Sequence, residues 1–166
     1  MCIRDSATPQ RPLDIAIGHL YSQAARLTFV TGVFMIVAFA FGAFTTPLAL
    51  LAWPVAILTG LAFGMPMAAW TATRQRETSF PMIFRFVVTP MFLFSGTFFP
   101  IERLPDFLQP VAWLTPLFHG VSLARAFALG QDLDPLRLGL HALVLVALVV
   151  GGTVLALRTF ERRLIV

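Results

Sequence analysis

Long apolar stretches separated by short polar ones dominate the pattern along this chain. No charged residue lies between Arg26 and Arg74, a run of 47 residues. As a helix this run would be about 70 Å long at about 1.5 Å per residue, whereas one crossing of the hydrocarbon needs about 20 residues. Pro47 interrupts the run, because proline ends helices and disfavours helix in the residue before it. Two membrane spans are therefore predicted, near 27–44 and 50–72.

Two further apolar segments follow the polar loop at 73–81. They predict a third span near 82–101 and a fourth near 136–157. The residues between these two spans are mixed in character. The pattern thus indicates an all-α fold class, a polytopic transmembrane helical bundle with four spans in the chain.

Composition identifies lipid as the solvent of this protein. Of its 166 residues, 58% are hydrophobic and 12% are charged, against about 45–50% and about 25% in ordinary soluble domains. So few polar side chains cannot cover a soluble protein of this size. A soluble enzyme, a disordered chain and a disulfide scaffold are excluded on this ground, and the single cysteine, Cys2, does not indicate a redox compartment.

The placement of the arginines orients the predicted spans. The three arginines Arg103, Arg125 and Arg137 fall on one side. Eight fall on the side of both termini and the 73–81 loop: Arg11, Arg26, Arg74, Arg76, Arg85, Arg158, Arg162 and Arg163. By the positive-inside rule both termini are expected in the cytoplasm. Arg85, one turn into the third span, is either a charge for a substrate or relay, or an arginine reaching back to the headgroups. The scattered charges do not indicate nucleic acid as a partner.

The first residues, 1–8, differ in character from the rest of the chain. They lack the apolar stretch of a signal peptide. We interpret them as a non-native N-terminal scar ahead of a sequence that begins at residue 9.

Residues 9–26 are predicted to form a short cytoplasmic helix that leads into the first span. One set of apolar residues recurs at helical spacing: Leu13, Ile17, Leu20 and Ala24. Polar or small residues fall elsewhere: Arg11, Asp14 and Gly18. Such a helix either presents a polar face to a soluble partner or simply anchors the span at the interface.

The stretch 96–130 is too polar and too rich in proline to span the membrane. Four prolines divide it into short pieces: Pro100, Pro105, Pro110 and Pro116. An apolar stripe recurs at helical spacing: Leu104, Phe107, Leu108, Val111 and Leu114. We predict a helical hairpin over 102–130 that dips into the outer leaflet and packs against the bundle, because non-helical backbone at membrane depth must be buried in protein. An ordinary outer loop lying on the membrane is the alternative.

Sequence motifs for catalysis, metal binding or nucleotide binding are absent. The three histidines, His19, His119 and His141, have no metal-ligand spacing, and Ser95 lacks a GxSxG frame. No GxxxxGK[ST] phosphate loop occurs, so no catalytic, cofactor-binding or metal residues are predicted. A membrane-embedded enzyme acting on lipid or glycan, with His119 and Asp106 or Glu102, is one alternative function. A structural membrane protein without a substrate is another.

The order of residues from Thr89 onward carries a resemblance to a known family. The stretch Thr89–Pro100 is followed by Leu104-Pro105, Pro116-Leu117-x-His119, Arg125 and Gly130. This order resembles the signature of ABC-2 type transporter permeases, in the branch of nodulation lipo-oligosaccharide exporters and daunorubicin-resistance permeases. Nine residues carry it around the outer hairpin: Ser95, Gly96, Phe99, Pro100, Leu104, Pro105, Pro116, His119 and Arg125. The segment Pro12–His19 resembles the family's cytoplasmic segment after its second span, with His19 where a lysine is usual, and Arg158–Leu164 resembles its basic tail.

The resemblance implies the permease subunit of an ATP-binding cassette exporter in the cytoplasmic (inner) membrane of a bacterium. Family members have six spans, so 9–166 would be the C-terminal part of an N-terminally truncated permease domain. The implied partners are a cytoplasmic ATPase subunit, which would hold ATP and Mg²⁺, a second permease copy, membrane lipid and an amphipathic substrate. That substrate would be a lipo-oligosaccharide, a polysaccharide, a lipid or a hydrophobic drug.

The resemblance also implies roles for two segments. The cytoplasmic segment would couple the chain to the ATPase through Arg11, Leu13, Asp14, Ile17, Gly18 and His19. The outer hairpin, 102–130, would cap the exit path of the substrate.

Overall fold

The chain folds as a set of helices, and a computed structural model describes residues 12–44, 47–73, 79–98, 105–106, 109–130 and 134–164. All regular structure in these ranges is helical, as predicted. In chain order the elements are α1 (Pro12–Ala40), a 3₁₀ turn (Pro47–Leu51), α2 (Ala52–Ala72), α3 (Ser79–Ile83), a π-helical turn (Phe84–Val88), α4 (Thr89–Phe94), α5 (Gln109–Trp113), α6 (Pro116–Leu129) and α7 (Pro135–Leu164).

Three segments within the described ranges are long and apolar enough to cross a membrane. They are Leu13–Ala40, Pro47–Ala72 and Pro135–Glu161, and they contain most of the predicted first, second and fourth spans. The predicted third span, 82–101, corresponds to a shorter apolar helix, Pro81–Phe94. Its helical part ends at Phe94 and not near residue 101, because the chain bends there and Gly96 adopts a φ of 82°, a left-handed conformation that a helix does not continue through.

Helix α1 is one continuous helix of 29 residues, so the predicted lead-in segment before residue 27 is helical but forms one helix with the first span. It also ends at Ala40, short of the predicted boundary at 44. Gly42 takes a φ of 67°, the left-handed conformation with which many helices end. At about 1.5 Å per residue α1 is about 43 Å long, which exceeds the hydrocarbon thickness of about 30 Å. α1 is therefore longer than one perpendicular crossing of the hydrocarbon needs.

Helices α2 and α7 run parallel to each other. Val55, near the start of α2, forms one core cluster with Leu145 of α7. Ala69, near the end of α2, forms a second cluster with Ala156, further along α7. The early parts of the two helices are thus neighbours, as are the late parts, and together they form the core of the bundle.

A glycine lets α7 approach α2 closely. A Cβ atom added at Gly152 would lie 2.5 Å from Cδ and 2.7 Å from the backbone nitrogen of Pro66. Pro66 lies inside α2, where its ring replaces a backbone N–H and widens the helix locally. The absent side chain at position 152 accommodates this ring.

Helix α1 runs antiparallel to α2. The side chain of Leu27 packs against Gly60, and the ring of Trp53 packs against Gly32. The indole Nε1 of Trp53 also donates a hydrogen bond of 3.0 Å to the hydroxyl of Thr31. Residues further along α1 thus meet residues nearer the start of α2.

Helix α6 packs against the first half of α2 and against the 3₁₀ turn before it. Leu123 joins the core cluster of Val55 and Leu145, and Gly120 lies so close to Thr59 that a Cβ atom there would collide with its side chain. With 14 residues, α6 stays in the half of the bundle where α2 and α7 begin. This agrees with the prediction that the 102–130 region packs against the bundle.

A π-helical turn over Phe84–Val88 interrupts the third apolar segment. Pro90, two residues after the end of this turn, has no N–H to continue the α-helical ladder. The N–H of Thr89 instead reaches back five residues to the carbonyl of Phe84. Arg85 lies in this turn and is exposed. Such turns are rare in helices and are frequent at functional sites.

Candidate functional site between the hairpin and the last helix

Two histidines that lie 22 positions apart in the sequence meet where α6 packs against α7. Nδ1 of His119 lies 2.6 Å from Nδ1 of His141, and Nε2 of His119 lies 2.9 Å from the carbonyl oxygen of Trp113. The two histidine residues are only 3% and 8% exposed. We call these two side chains the histidine pair. It links the hairpin, α5 and α6, to the last long helix.

The hydrogen bonds of the histidine pair determine where its protons lie. A carbonyl oxygen can only accept, so Nε2 of His119 carries a proton and donates to Trp113. In a neutral imidazole the other nitrogen is then the acceptor, so Nδ1 of His141 donates to Nδ1 of His119. His141 keeps a lone pair on its Nε2, which none of the described residues hydrogen-bonds. Two neutral rings therefore satisfy both observed hydrogen bonds.

Two aromatic rings enclose the histidine pair. The ring of Trp113 lies 6.2 Å from that of His119 and 5.9 Å from that of His141, between centroids. The ring of Phe118 lies 5.3 Å and 5.5 Å from the same two imidazoles. Burial lowers the pKa of His119, and its hydrogen bond to the carbonyl of Trp113 opposes this shift in part. The enclosure therefore favours the neutral form of His119.

The local sequence explains why Trp113 offers its carbonyl to His119. α5 ends at Trp113, and the next two N–H groups bond to earlier carbonyls, those of Val111 and Ala112. α6 then begins at Pro116, and the hydroxyl of the N-cap residue Thr115 accepts a hydrogen bond from the N–H of Phe118. This tight turn brings His119, in the first turn of α6, back to the end of α5.

A second cluster joins α6 to the bend after α4. Nη2 of Arg125 donates a hydrogen bond of 3.0 Å to the carbonyl oxygen of Thr97. The hydroxyls of Ser95 and Thr97 lie 2.8 Å apart, and Ser95 and Gly96 are buried. Together with the histidine pair, this cluster attaches α6 to elements on two sides.

The structure brings together part of the predicted outer-hairpin signature. Ser95, Gly96 and Arg125 meet in the second cluster, and His119 belongs to the histidine pair. Pro116 begins α6, where its missing N–H is not needed, and Pro105 is exposed. Three signature residues lie outside the described residues: Phe99, Pro100 and Leu104.

The predicted apolar stripe of the hairpin does not face the bundle where the structure describes it. Val111 and Leu114 are exposed, whereas Ala112, between them, is buried. α5 has only five residues, and a turn follows it. Leu104, Phe107 and Leu108 lie outside the described residues.

The predicted coupling segment forms the first two turns of α1. Leu13 is 48% and Ile17 52% exposed, so this part of the predicted stripe faces away from the bundle. Ala16 is buried instead, and Leu20 packs against the cluster that contains Ala69 and Ala156. Asp14 and Gly18 are exposed and His19 is partly buried. Arg11 lies outside the described residues.

The sequence did not reveal that His119 and His141 are partners. Their spacing matches no motif, and only the presence of two histidines in otherwise apolar segments could have drawn attention to them. Both ring nitrogens of His119 are engaged, and Asp106 is exposed and accepts a 3.4 Å hydrogen bond from Gln109. The proposed pairing of His119 with Asp106 in an enzyme therefore finds no support in this geometry. Glu102 lies outside the described residues.

These features define the class of protein: a polytopic helical membrane protein in which, among the described residues, the short helices α5 and α6 are attached to the long apolar helix α7. The family follows from comparison with known sequences. The model of the ABC-2 type transporter family matches residues 2–129, so the chain belongs to this family, as the resemblance in the 89–130 region predicted.

The chain is similar to curated relatives that are named Nodulation protein J. The protein from Sinorhizobium fredii (strain NBRC 101917 / NGR234) is 32% identical over 152 residues, which cover 92% of this chain and 57% of the relative. The protein from Rhizobium leguminosarum bv. viciae is 34% identical over 152 residues, which cover 91% of this chain and 58% of the relative. The chain thus spans little more than half the length of these relatives. No solved structure shows significant similarity to it.

Proposed function

We propose that the chain is part of the permease subunit of an ATP-binding cassette exporter, which moves an amphipathic substrate out across the cytoplasmic membrane of a bacterium. A separate ATPase subunit binds and hydrolyses ATP with Mg²⁺, and two permease copies face each other. Membership of the ABC-2 type transporter family supports this role, as does the similarity to proteins named Nodulation protein J.

The observation that carries the proposal is the continuity of α1. Its first turns expose Leu13 and Ile17, while Leu20, one turn further on, packs against the ends of α2 and α7. A force on the exposed turns is therefore transmitted through an unbroken helix to two other long helices. We propose that the ATPase contacts this coupling segment, Arg11 to His19, and that its closure on ATP tilts the three helices together.

The direction of the helices supports a topology of four spans. Because α2 and α7 run parallel, the chain changes ends of the bundle once between residues 73 and 134. α6 makes no crossing, since it lies beside the half where α7 begins. At about 1.5 Å per residue, the segment 79–94 is about 24 Å long. A single crossing of the membrane by this segment and the residues beside it accounts for this arrangement. Both termini then lie on the arginine-rich side, which is the cytoplasmic side, and the α5–α6 hairpin lies on the outer side at the substrate exit.

The coupling proposal is tested by co-purification with an ABC ATPase, which we expect to be encoded beside this chain. Leu13→Arg with Ile17→Arg places two charges on the exposed turns and is expected to abolish the complex. Glu161→Arg is the matched control, because Glu161 is exposed near the same end of the bundle but lies on α7, and this variant keeps the complex. An intact complex with the Leu13/Ile17 variant would contradict the coupling role.

The substrate class is tested in proteoliposomes that hold the full-length permease and its ATPase. A fluorescent acylated oligosaccharide is expected to accumulate in the compartment opposite the ATPase in the presence of ATP. The same oligosaccharide without its acyl chain is the matched probe and should remain where it was added. Equal movement of both probes, or of neither, would contradict an amphipathic substrate of this kind.

A further inference from the structure

The histidine pair can bind one proton without losing its internal hydrogen bond. In the neutral pair the free lone pair belongs to Nε2 of His141, because Nδ1 of that ring donates to His119. A proton that binds at Nε2 of His141 makes this ring an imidazolium, which continues to donate through Nδ1. The hydrogen bond between the rings then becomes charge-assisted and stronger. The hydrogen bond from His119 to the carbonyl of Trp113 is unaffected.

A second proton has no site that leaves the pair intact. The remaining lone pair is on Nδ1 of His119, and it already accepts the hydrogen bond from His141. Protonation of this nitrogen places two N–H groups opposite each other, on nitrogens that lie only 2.6 Å apart. The two rings also carry like charges in a buried site, and each charge disfavours the other. The rings must separate, which removes the polar link between α6 and α7.

We propose that His119 and His141 form a one-proton latch that holds the hairpin on the last helix and opens when a second proton binds. The latch goes beyond the proposed transport role and does not depend on it. Both histidines act as positioning residues, since they set where α6 lies against α7. Acid releases the hairpin, and neutral pH keeps it attached.

The charges around the histidine pair disfavour the binding of a second proton while the pair is intact. Arg137, one turn before His141 on α7, forms a 3.6 Å ion pair with Asp134, and Arg125 on α6 bonds to Thr97. α2 and the 3₁₀ turn that pack against α6 contain no charged residue. No described carboxylate therefore contacts the rings to stabilise two positive charges, and the positive charge of Arg137 opposes them.

The pH direction follows from the burial of His119. Because burial lowers the pKa of His119, the folded hairpin favours the neutral ring and resists the second proton. This stabilisation is fully present above the ordinary histidine pKa of about 6.5. It is lost as the pH falls below that value towards the lowered pKa of the folded protein, so the latch opens on the acid side.

Disulfide trapping in the full-length chain in lipid nanodiscs tests the latch. Leu123→Cys and Leu138→Cys, in a Cys2→Ser background, place one thiol on α6 and one on α7, within the same core cluster. The intrachain disulfide is quantified by mass spectrometry between about pH 8 and about pH 4.5. Its yield is expected to fall about tenfold for each pH unit below the second protonation, as the latched population falls.

Two controls separate the latch from other effects of acid. The pair Ala69→Cys and Ala156→Cys joins α2 to α7 in the other cluster, and its yield corrects for the chemistry of thiol oxidation at each pH. His141→Asn retains an amide that can donate to neutral His119 or accept from its protonated form, so the corrected yield should no longer depend on pH. The latch would be overturned if the corrected disulfide yield declined equally in acid with His141→Asn and with both native histidines.

A second measurement needs no cysteine in the core. In a chain with Trp53→Phe and Trp70→Phe, Trp113 is the remaining tryptophan, and its ring packs against both imidazoles. Protonated imidazole quenches indole fluorescence on contact. We expect a first quenching step as the pair takes one proton, followed at lower pH by recovery as the rings separate. Quenching that deepens steadily, with no recovery, would overturn the proposal because the doubly protonated pair would then remain packed.

Discussion

Replacing Gly152 with alanine tests how closely α7 packs on α2. The added Cβ would lie 2.5 Å from Cδ and 2.7 Å from the backbone nitrogen of Pro66, whereas non-bonded carbon atoms prefer about 3.5–4.0 Å. The helices must therefore move apart by roughly 1 Å, because neither a proline ring nor a backbone atom can rotate away. Inserting a methyl group into a packed core typically costs about 1–3 kcal/mol.

Gly151 offers a matched control one position earlier. A Cβ atom there would meet no atom within 4 Å, so the only change is the gain in helix propensity, about 0.5–1 kcal/mol. The same gain offsets part of the cost at Gly152. We therefore expect Gly152→Ala to destabilise the protein by about 1–2 kcal/mol and Gly151→Ala to stabilise it by about 0.5–1 kcal/mol.

The free energy of unfolding of both variants can be measured by titrating the chain in mixed micelles with a denaturing detergent and following tryptophan fluorescence. The opposite signs at neighbouring glycines are the distinctive result. Two variants with the same free energy of unfolding, within about 0.5 kcal/mol, would refute the close contact between Gly152 and Pro66.

Three other contacts lead to separate predictions. Thr115→Ala removes the N-cap of α6 and is expected to cost about 1 kcal/mol, seen as faster hydrogen exchange in α6, while Thr115→Ser preserves the protection. Arg125→Ala frees the carbonyl of Thr97 and should accelerate proteolysis of the 95–98 bend, and unchanged cleavage would contradict the role of that bond. Trp53→Phe and Thr31→Val both remove the hydrogen bond between these two side chains, so the double variant should lower the free energy of unfolding by about 0.6 kcal/mol less than the sum of the two single variants. Strictly additive effects would contradict that bond.

The helices that the sequence predicted well are those with a uniform apolar pattern. The charge-free run between Arg26 and Arg74 correctly predicted two long apolar helices with a break at Pro47, because lipid requires backbone groups to bond within a helix. The errors fell at helix ends. Gly42 ends α1 by adopting a left-handed conformation, and a glycine elsewhere in a helix, such as Gly18, looks the same in the sequence.

The candidate site was predicted only in part, because its contacts join distant segments. The prolines predicted a boundary between short pieces at Pro116, and the family resemblance singled out His119 and Arg125. The partner of each depended on the tertiary packing: the pairing of His119 with His141 follows from α6 lying against α7, and Arg125 finds a backbone carbonyl, which has no signature in the sequence. The exposure of Leu13 and Ile17 could not be predicted for a similar reason, since periodicity cannot tell which apolar face meets the bundle.

The parallel packing of α2 and α7 has a consequence for how the protein is made. α2 finds its main partner only when α7 has been synthesised, more than 60 residues after α2 ends. Until then the surface of α2 around Pro66 faces lipid or the insertion machinery. α1 and α2 lack the contacts that α7 later provides. Contacts between such distant segments slow folding and leave incompletely packed intermediates open to misassembly. Synthesis of α7 therefore completes the packing of α2, and quality control in the cell would act on the chain before that moment.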